Sequence, residues 1–369
     1  MRKRFVLAVV SCAVAFCGAF VDKAAAVPVE RAGGTMVRQS TAPVSHGFVA
    51  GHLFVGTAGV FGTSPIWRYP IHNGVPAKRP DLVYPNLVDP QFTVASDGSL
   101  FGVGRDSTTG NWDVNVFPPN STKVERRLQL PTPLYNTYYD GTAVDPSGYL
   151  YADYNYTGSR GTGRHAHTSS NAGSHDAAPC NPPSGPWLGI LVYAPGAEGT
   201  QNYTICYQVN EVYSQYEGLA IDSRGSLYVP DQYPPSVGVY ATPNTNPTLI
   251  RTVSGPAFQS PTSIALDAQD RMWVMNNSSY YYGYSYVARY QPYANGTTKP
   301  EGILSKGLFS PLEAQWCGNI AVDDEFLYVG ENHKVLVYHK FARNAEPPFA
   351  ILSLPQASGC PGPWVAVGP

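Results

Sequence analysis

Leu219–Asp231 reads LAIDSRGSLYVPD: a short apolar run closing on Asp222, a Ser-Arg-Gly turn, then an aliphatic-aromatic run. Apolar runs of this length bounded by turn residues are strand signals, and two of them around a tight turn make a hairpin. The same pattern recurs at Thr142–Tyr154 (TAVDPSGYLYADY), Ile264–Asn276 (IALDAQDRMWVMN) and Ile320–Asn332 (IAVDDEFLYVGEN). Thr93–Asp106 (TVASDGSLFGVGRD) is a weaker copy with Ser96 at the Asp position, and His46–Thr57 (HGFVAGHLFVGT) is a degenerate sixth.

A second pair of strands follows each copy. In VGVYATPNTNPTLIRTV, for example, an aromatic strand meets a Pro/Asn turn and then another strand. The Asp markers at 145, 222, 267 and 323 are 77, 45 and 56 residues apart. Four strands in about 45 residues is the period of a propeller blade. One such sheet cannot bury both faces alone, and arranging the sheets radially covers them. The sequence therefore predicts an all-β fold, a six-bladed β-propeller of four-stranded antiparallel blades. Pro363–Val367 resembles an inner strand with no successor, so it is expected to close the ring beside blade 1. No segment carries a sustained 3.6-residue apolar period, so almost no helix is expected.

Composition agrees with this reading. Gly (36) and Pro (34) supply turns, and Tyr (26) favours strands. Charged residues make up 14% of the chain and the net charge is −2, with no basic stripe, so nucleic acid is not expected as a partner. Met1-Arg2-Lys3-Arg4, an apolar run from Phe5 to Phe20, and Ala24-Ala25-Ala26 form the pattern of a secretory signal peptide. The expected organisation is a signal peptide over 1–26, an N-terminal segment over 27–43 and one propeller domain over 44–369. No membrane span is expected after cleavage. The expected location is extracellular or periplasmic. In such a compartment Cys180, Cys206, Cys317 and Cys360 are disulfide candidates. Four cysteines allow three connectivities. A 317–360 bridge would lock the ring closure, with 180–206 as the other pair.

The Ile-Ala-Val-Asp…Leu-Tyr-Val runs followed by Val-x-Val-Tyr resemble NHL repeats and the wider six-bladed, TolB-like propellers. That resemblance covers residues 44 to 369 and implies the fold more than any one function. Glu217-Gly218 and Asp140-Gly141 bear a weaker resemblance to the metal-binding elements of gluconolactonase and regucalcin-like propellers.

Antiparallel order places the residues entering strand one and leaving strand two at one end of the ring. Asp140 and Glu217 enter inner strands there and break the repeat. Converging carboxylates suit a hard divalent cation such as calcium, or general-base work, and they equally suit a solvated rim. The same end carries a Tyr-rich surface, with Tyr139, Tyr216, Tyr280, Tyr281 and Tyr282 as candidate ligand contacts. An insertion at about 155–186 in blade 3 brings His165, His167 and His175 among Gly, Ser and Thr, a composition that fits either metal binding or a plain polar loop. The Asp markers fall at the opposite end, where each is expected to cap its own turn. Two functions are expected. The first is binding of an extracellular protein, peptide or glycan through the Tyr-rich face. The alternative is a metal-dependent lyase or lactone hydrolase at the channel mouth.

Overall fold

In the computed structural model every regular element among the described residues is a β-strand. The structure describes residues 50–57, 63–105, 111–131, 137–139, 141–156, 187–200, 203, 205–210, 218–232, 234–276, 285–305, 319–331, 333–344, 346–355 and 362–369. The expected signal peptide and N-terminal segment lie outside these residues.

The strands build six antiparallel blades, with Gly296–Thr297 added in parallel at the edge of blade 4. Blade 4 shows the rule: Ala220–Ile221, Leu227–Gln232, Pro235–Ala241 and Thr248–Ser254 pair in sequence order. Blades 3, 5 and 6 repeat it, starting at Thr142–Val144, Pro261–Leu266 and Ile320–Val322. Leu82–Val94 serves two blades, with its first half outermost in blade 1 and its second half innermost in blade 2. A register shift between Val88 and Gln91 marks the crossing.

The closing strand is Pro363–Gly368. It pairs antiparallel with His52–Thr57, in register from His52 opposite Gly368 to Thr57 opposite Pro363. It takes the innermost place of blade 1, so the degenerate first copy supplies the blade's second strand and Ala50 stands outside any strand. The close approach needs a glycine in blade 6, because a Cβ on Gly330 would sit 2.0 Å from the carbonyl oxygen of Pro363.

The core is divided among the seams. Among the described residues six buried clusters occur, one between each pair of neighbouring blades. Strand alternation builds them. In Phe326–Glu331, Leu327 and Val329 face blade 5, while Phe326 and Tyr328 face blade 1. The inner strand of the same blade follows suit, with Ile320 and Val322 toward blade 5 and Ala321 toward blade 1, which explains the near-continuous apolar run of this repeat copy.

Candidate functional site

The repeated Asp turns surround one mouth of the central channel. A cavity of about 270 Å³ lies there, lined by Ser96, Asp145, Asp222, Asp267, Asp323 and Asp324 among others. Each marker Asp is buried and spends one oxygen on its own turn. Asp145 Oδ1 accepts from the amides of Ser147 (2.8 Å) and Tyr149 (3.0 Å). Asp222 Oδ1 takes Arg224 N (3.0 Å) and Ser226 N (2.8 Å). Asp267 Oδ1 takes Gln269 N (3.0 Å) and Arg271 N (2.8 Å), and Asp323 Oδ1 takes Glu325 N (2.8 Å) and Phe326 N (2.7 Å). This is the local bonding that makes Asp a turn residue.

The second oxygen takes a phenol from the next strand. Tyr151 donates to Asp145 Oδ2 at 3.0 Å, Tyr228 to Asp222 Oδ2 at 3.3 Å and Tyr328 to Asp323 Oδ2 at 3.1 Å. Burial, then the carboxylate beside it, pushes each of these phenols well above the ordinary tyrosine value. Blade 5 departs from the rule. Trp273 stands where the tyrosine would be, and Lys340 of blade 6 brings its Nζ to 2.7 Å from Asp267 Oδ2. That contact is an ion pair without an aligned hydrogen bond, and both side chains are buried. Blade 5 also puts Asp270 where blades 3 and 4 have Gly148 and Gly225. Asp270 keeps their left-handed backbone (φ 59). Its carboxylate accepts from Ser223 N (2.8 Å), Ser223 Oγ (2.7 Å) and Tyr293 Oη (2.6 Å), tying blade 5 to blade 4.

These contacts define the chemistry of this mouth. In Asp145, Asp222 and Asp323 both carboxylate oxygens are engaged by the protein itself, which favours a fastening over a general base. Among the described residues no group of three or more His, Cys, Asp or Glu is placed to hold a metal ion.

At the other end, two buried polar side chains also bind backbone. Asp153, fully buried, accepts from Gly141 N at 2.6 Å, and Asn276 Oδ1 accepts from Gln259 N at 3.0 Å. Each thereby fixes the chain as it enters its own blade. Tyr139 is corrected by the structure. It is fully buried, its ring packs 5.7 Å from Trp112, and its hydroxyl donates to Pro131 O at 3.0 Å. It therefore belongs to the seam between blades 2 and 3, and offers nothing to a ligand. Tyr216, Tyr280, Tyr281, Tyr282, Asp140, Glu217, Cys180, Cys317, Cys360 and the three loop histidines lie outside the described residues. So does the side chain of Cys206, whose backbone runs in Ile205–Asn210.

Fold and turn chemistry together define a six-bladed β-propeller. No family model matches the chain, and no curated protein matches it. Solved structures do. A protein of unknown function from Bacteroides caccae is 13% identical with a TM-score of 0.47, covering 86% of this chain and 98% of that one. A protein from Bacteroides uniformis, provisionally assigned as a 6-phosphogluconolactonase, is 12% identical with a TM-score of 0.49 (82% and 96% covered). A similarly assigned protein from Bacteroides fragilis is 12% identical with a TM-score of 0.46 (82% and 98%). Likeness at this level transfers no activity, since propellers host unrelated functions.

Proposed function

We propose that this is an exported binding propeller that holds an extracellular protein, peptide or glycan at the end of the ring opposite the Asp turns, through Tyr216, Tyr280, Tyr281 and Tyr282. One observation carries the reading: strand order sends the chain's two longest connections, Tyr156 to Trp187 and Leu304 to Ile320, out from that end. The connection from Asn276 to Tyr286, with its tyrosine run, leaves from there too. At the opposite end the repeated turns are short and their marker carboxylates are occupied by the fold. Variable loops on a rigid scaffold are where binding residues concentrate. Tyrosine suits them because it brings stiff apolar area with a polar tip.

The test is binding of the mature chain to immobilised glycan and peptide panels, followed by Tyr280→Ser/Tyr281→Ser/Tyr282→Ser and Tyr216→Ser. Loss of at least about tenfold in affinity is expected for a hot-spot tyrosine. Undiminished binding by both variants would contradict the proposal.

A second reading places a metal-dependent lyase or lactone hydrolase at the same end, with a divalent cation such as calcium held by Asp140 and Glu217. The observation favouring it is the short bond from buried Asp153 to Gly141 N, which fixes the backbone beside Asp140. Calcium should then raise the melting temperature of the wild type and not of Glu217→Gln. Equal melts with calcium and with EDTA would remove this reading.

A further inference from the structure

The connection between strands three and four of a blade repeatedly reaches back to the preceding blade. Gly199 of blade 3 bridges Leu128 of blade 2, and Asn344 of blade 6 bridges Leu304 of blade 5, both in parallel. Gly296–Thr297 of blade 5 pairs in parallel with Val253 and Ser254 of blade 4. Asn120 of blade 2 accepts from Arg68 of blade 1 at 2.6 Å.

Blade 1 continues the series across the closing seam, by a different contact. Its hairpin turns at Asn73 (φ 50) and Gly74 (φ 76), between His72 and Val75. Positive φ at both central residues is the two-residue turn that Asn-Gly favours. The tip rests on the Phe326 ring of blade 6, so closely that a Cβ on Gly74 would lie 2.1 Å from Phe326 Cζ. Phe326 is itself held by Phe349 at 5.4 Å and His339 at 5.5 Å, and is 5% exposed.

We propose that the Asn73–Gly74 hairpin is a second latch on the closing seam, one that keeps blade 1 on blade 6 when the closing strand Pro363–Gly368 undocks. The two fastenings use different parts of the blades. The closing strand works at the inner edge through backbone pairing with His52–Thr57. The hairpin works from the connection between blade 1's third and fourth strands, through one aromatic ring. Both bear on one buried cluster, in which Phe326 packs with Val365 of the closing strand and with Leu53, Val55 and Tyr69 of blade 1, so loosening the hairpin should loosen the inner edge of the same seam.

Native-state hydrogen exchange on the full chain tests this with Gly74→Ala, which sets a side chain in the left-handed region and against Phe326. If the hairpin holds the seam, amides of His52–Thr57 and Pro363–Gly368 should exchange at least about tenfold faster than in the wild type, a left-handed non-glycine residue being strained on this scale. Amides of Leu227–Gln232 and Pro235–Ala241 in blade 4 should keep their rates. Phe326→Leu removes the ring from the opposite side and should give the same seam-confined pattern, with the double variant less than additive. Unchanged seam exchange in either variant, or equal acceleration in blade 4, would overturn the proposal. So would failure of both variants to fold, because a fastening redundant with the closing strand is dispensable for folding.

Discussion

Blades 4 and 5 solve one problem in two ways. Each must satisfy the outer oxygen of a buried turn carboxylate. Blade 4 does so within itself, by Tyr228 on Asp222 at 3.3 Å, with Arg251 supporting the phenol at 2.7 Å. Blade 5 has Trp273, whose indole N–H is not so placed, and borrows Lys340 from blade 6 for Asp267. Lys340 also lies 3.3 Å from Gln269 Oε1 and 5.8 Å from the Trp273 ring centre. Replacing one aromatic by another thus turns a bond inside a blade into an ion pair between blades. The lesson is that equivalent positions in a repeat share a requirement, and a neighbour can meet it.

The largest effect should come from cutting the borrowed contact. Lys340→Met leaves Asp267 buried beside Arg271 alone, 3.8 Å away, and should cost about 3 kcal/mol in denaturant unfolding, as when a buried pair loses one member. A cost no larger than that of an exposed lysine would break the comparison. In blade 4, Tyr228→Phe should cost less, about 1–3 kcal/mol, the range for a buried acceptor that loses its donor. Tyr151→Phe should match it, and Tyr328→Phe should cost less, because Asp323 Oδ2 also accepts from Ala50 N at 3.3 Å.

These tyrosines also set an alkaline limit. Their phenols titrate well above the ordinary 10.0, raised first by burial and then by Asp145, Asp222 and Asp323. Above pH 10 the unfolded chain has released protons that the folded chain keeps, so stability is full below pH 10 and falls as pH rises past it. Each Tyr→Phe variant should show a shallower fall in melts taken above pH 10. The smallest effect is expected at Asp270. Asp270→Gly loses the bonds to Ser223 and Tyr293 but relieves a left-handed backbone (φ 59). A net loss of about 1 kcal/mol is expected, since glycine bears this conformation without cost. A stabilised variant would show that the bridge to blade 4 contributes less than the strain.

Much of the architecture was legible because the repeat is written in local chemistry. Asp, turn, and an aliphatic-aromatic strand lie within thirteen residues, as in Leu219–Asp231, and their period gave the blades, the turns and the closing strand. Lys340 was not legible. It lies 73 positions from Asp267 in another blade, and no local pattern distinguishes it from a surface lysine. Tyr139 misled for a related reason. A cluster of tyrosines before a strand looks like a binding surface, but packing against Trp112 places this one in the seam. The candidate site was least legible because Tyr216, Tyr280–Tyr282, Asp140 and Glu217 fall outside the repeated thirteen-residue pattern, where no period constrains them.

Turn carboxylates at this mouth are fastenings of the ring, and blade 5 is fastened from blade 6. A double-mutant cycle on unfolding free energy, Asp267→Asn with Lys340→Met, tests it most directly. Strong coupling is expected, about 2 kcal/mol or more, with the double variant more stable than Lys340→Met alone because the unpaired charge is gone. Additive losses would contradict it.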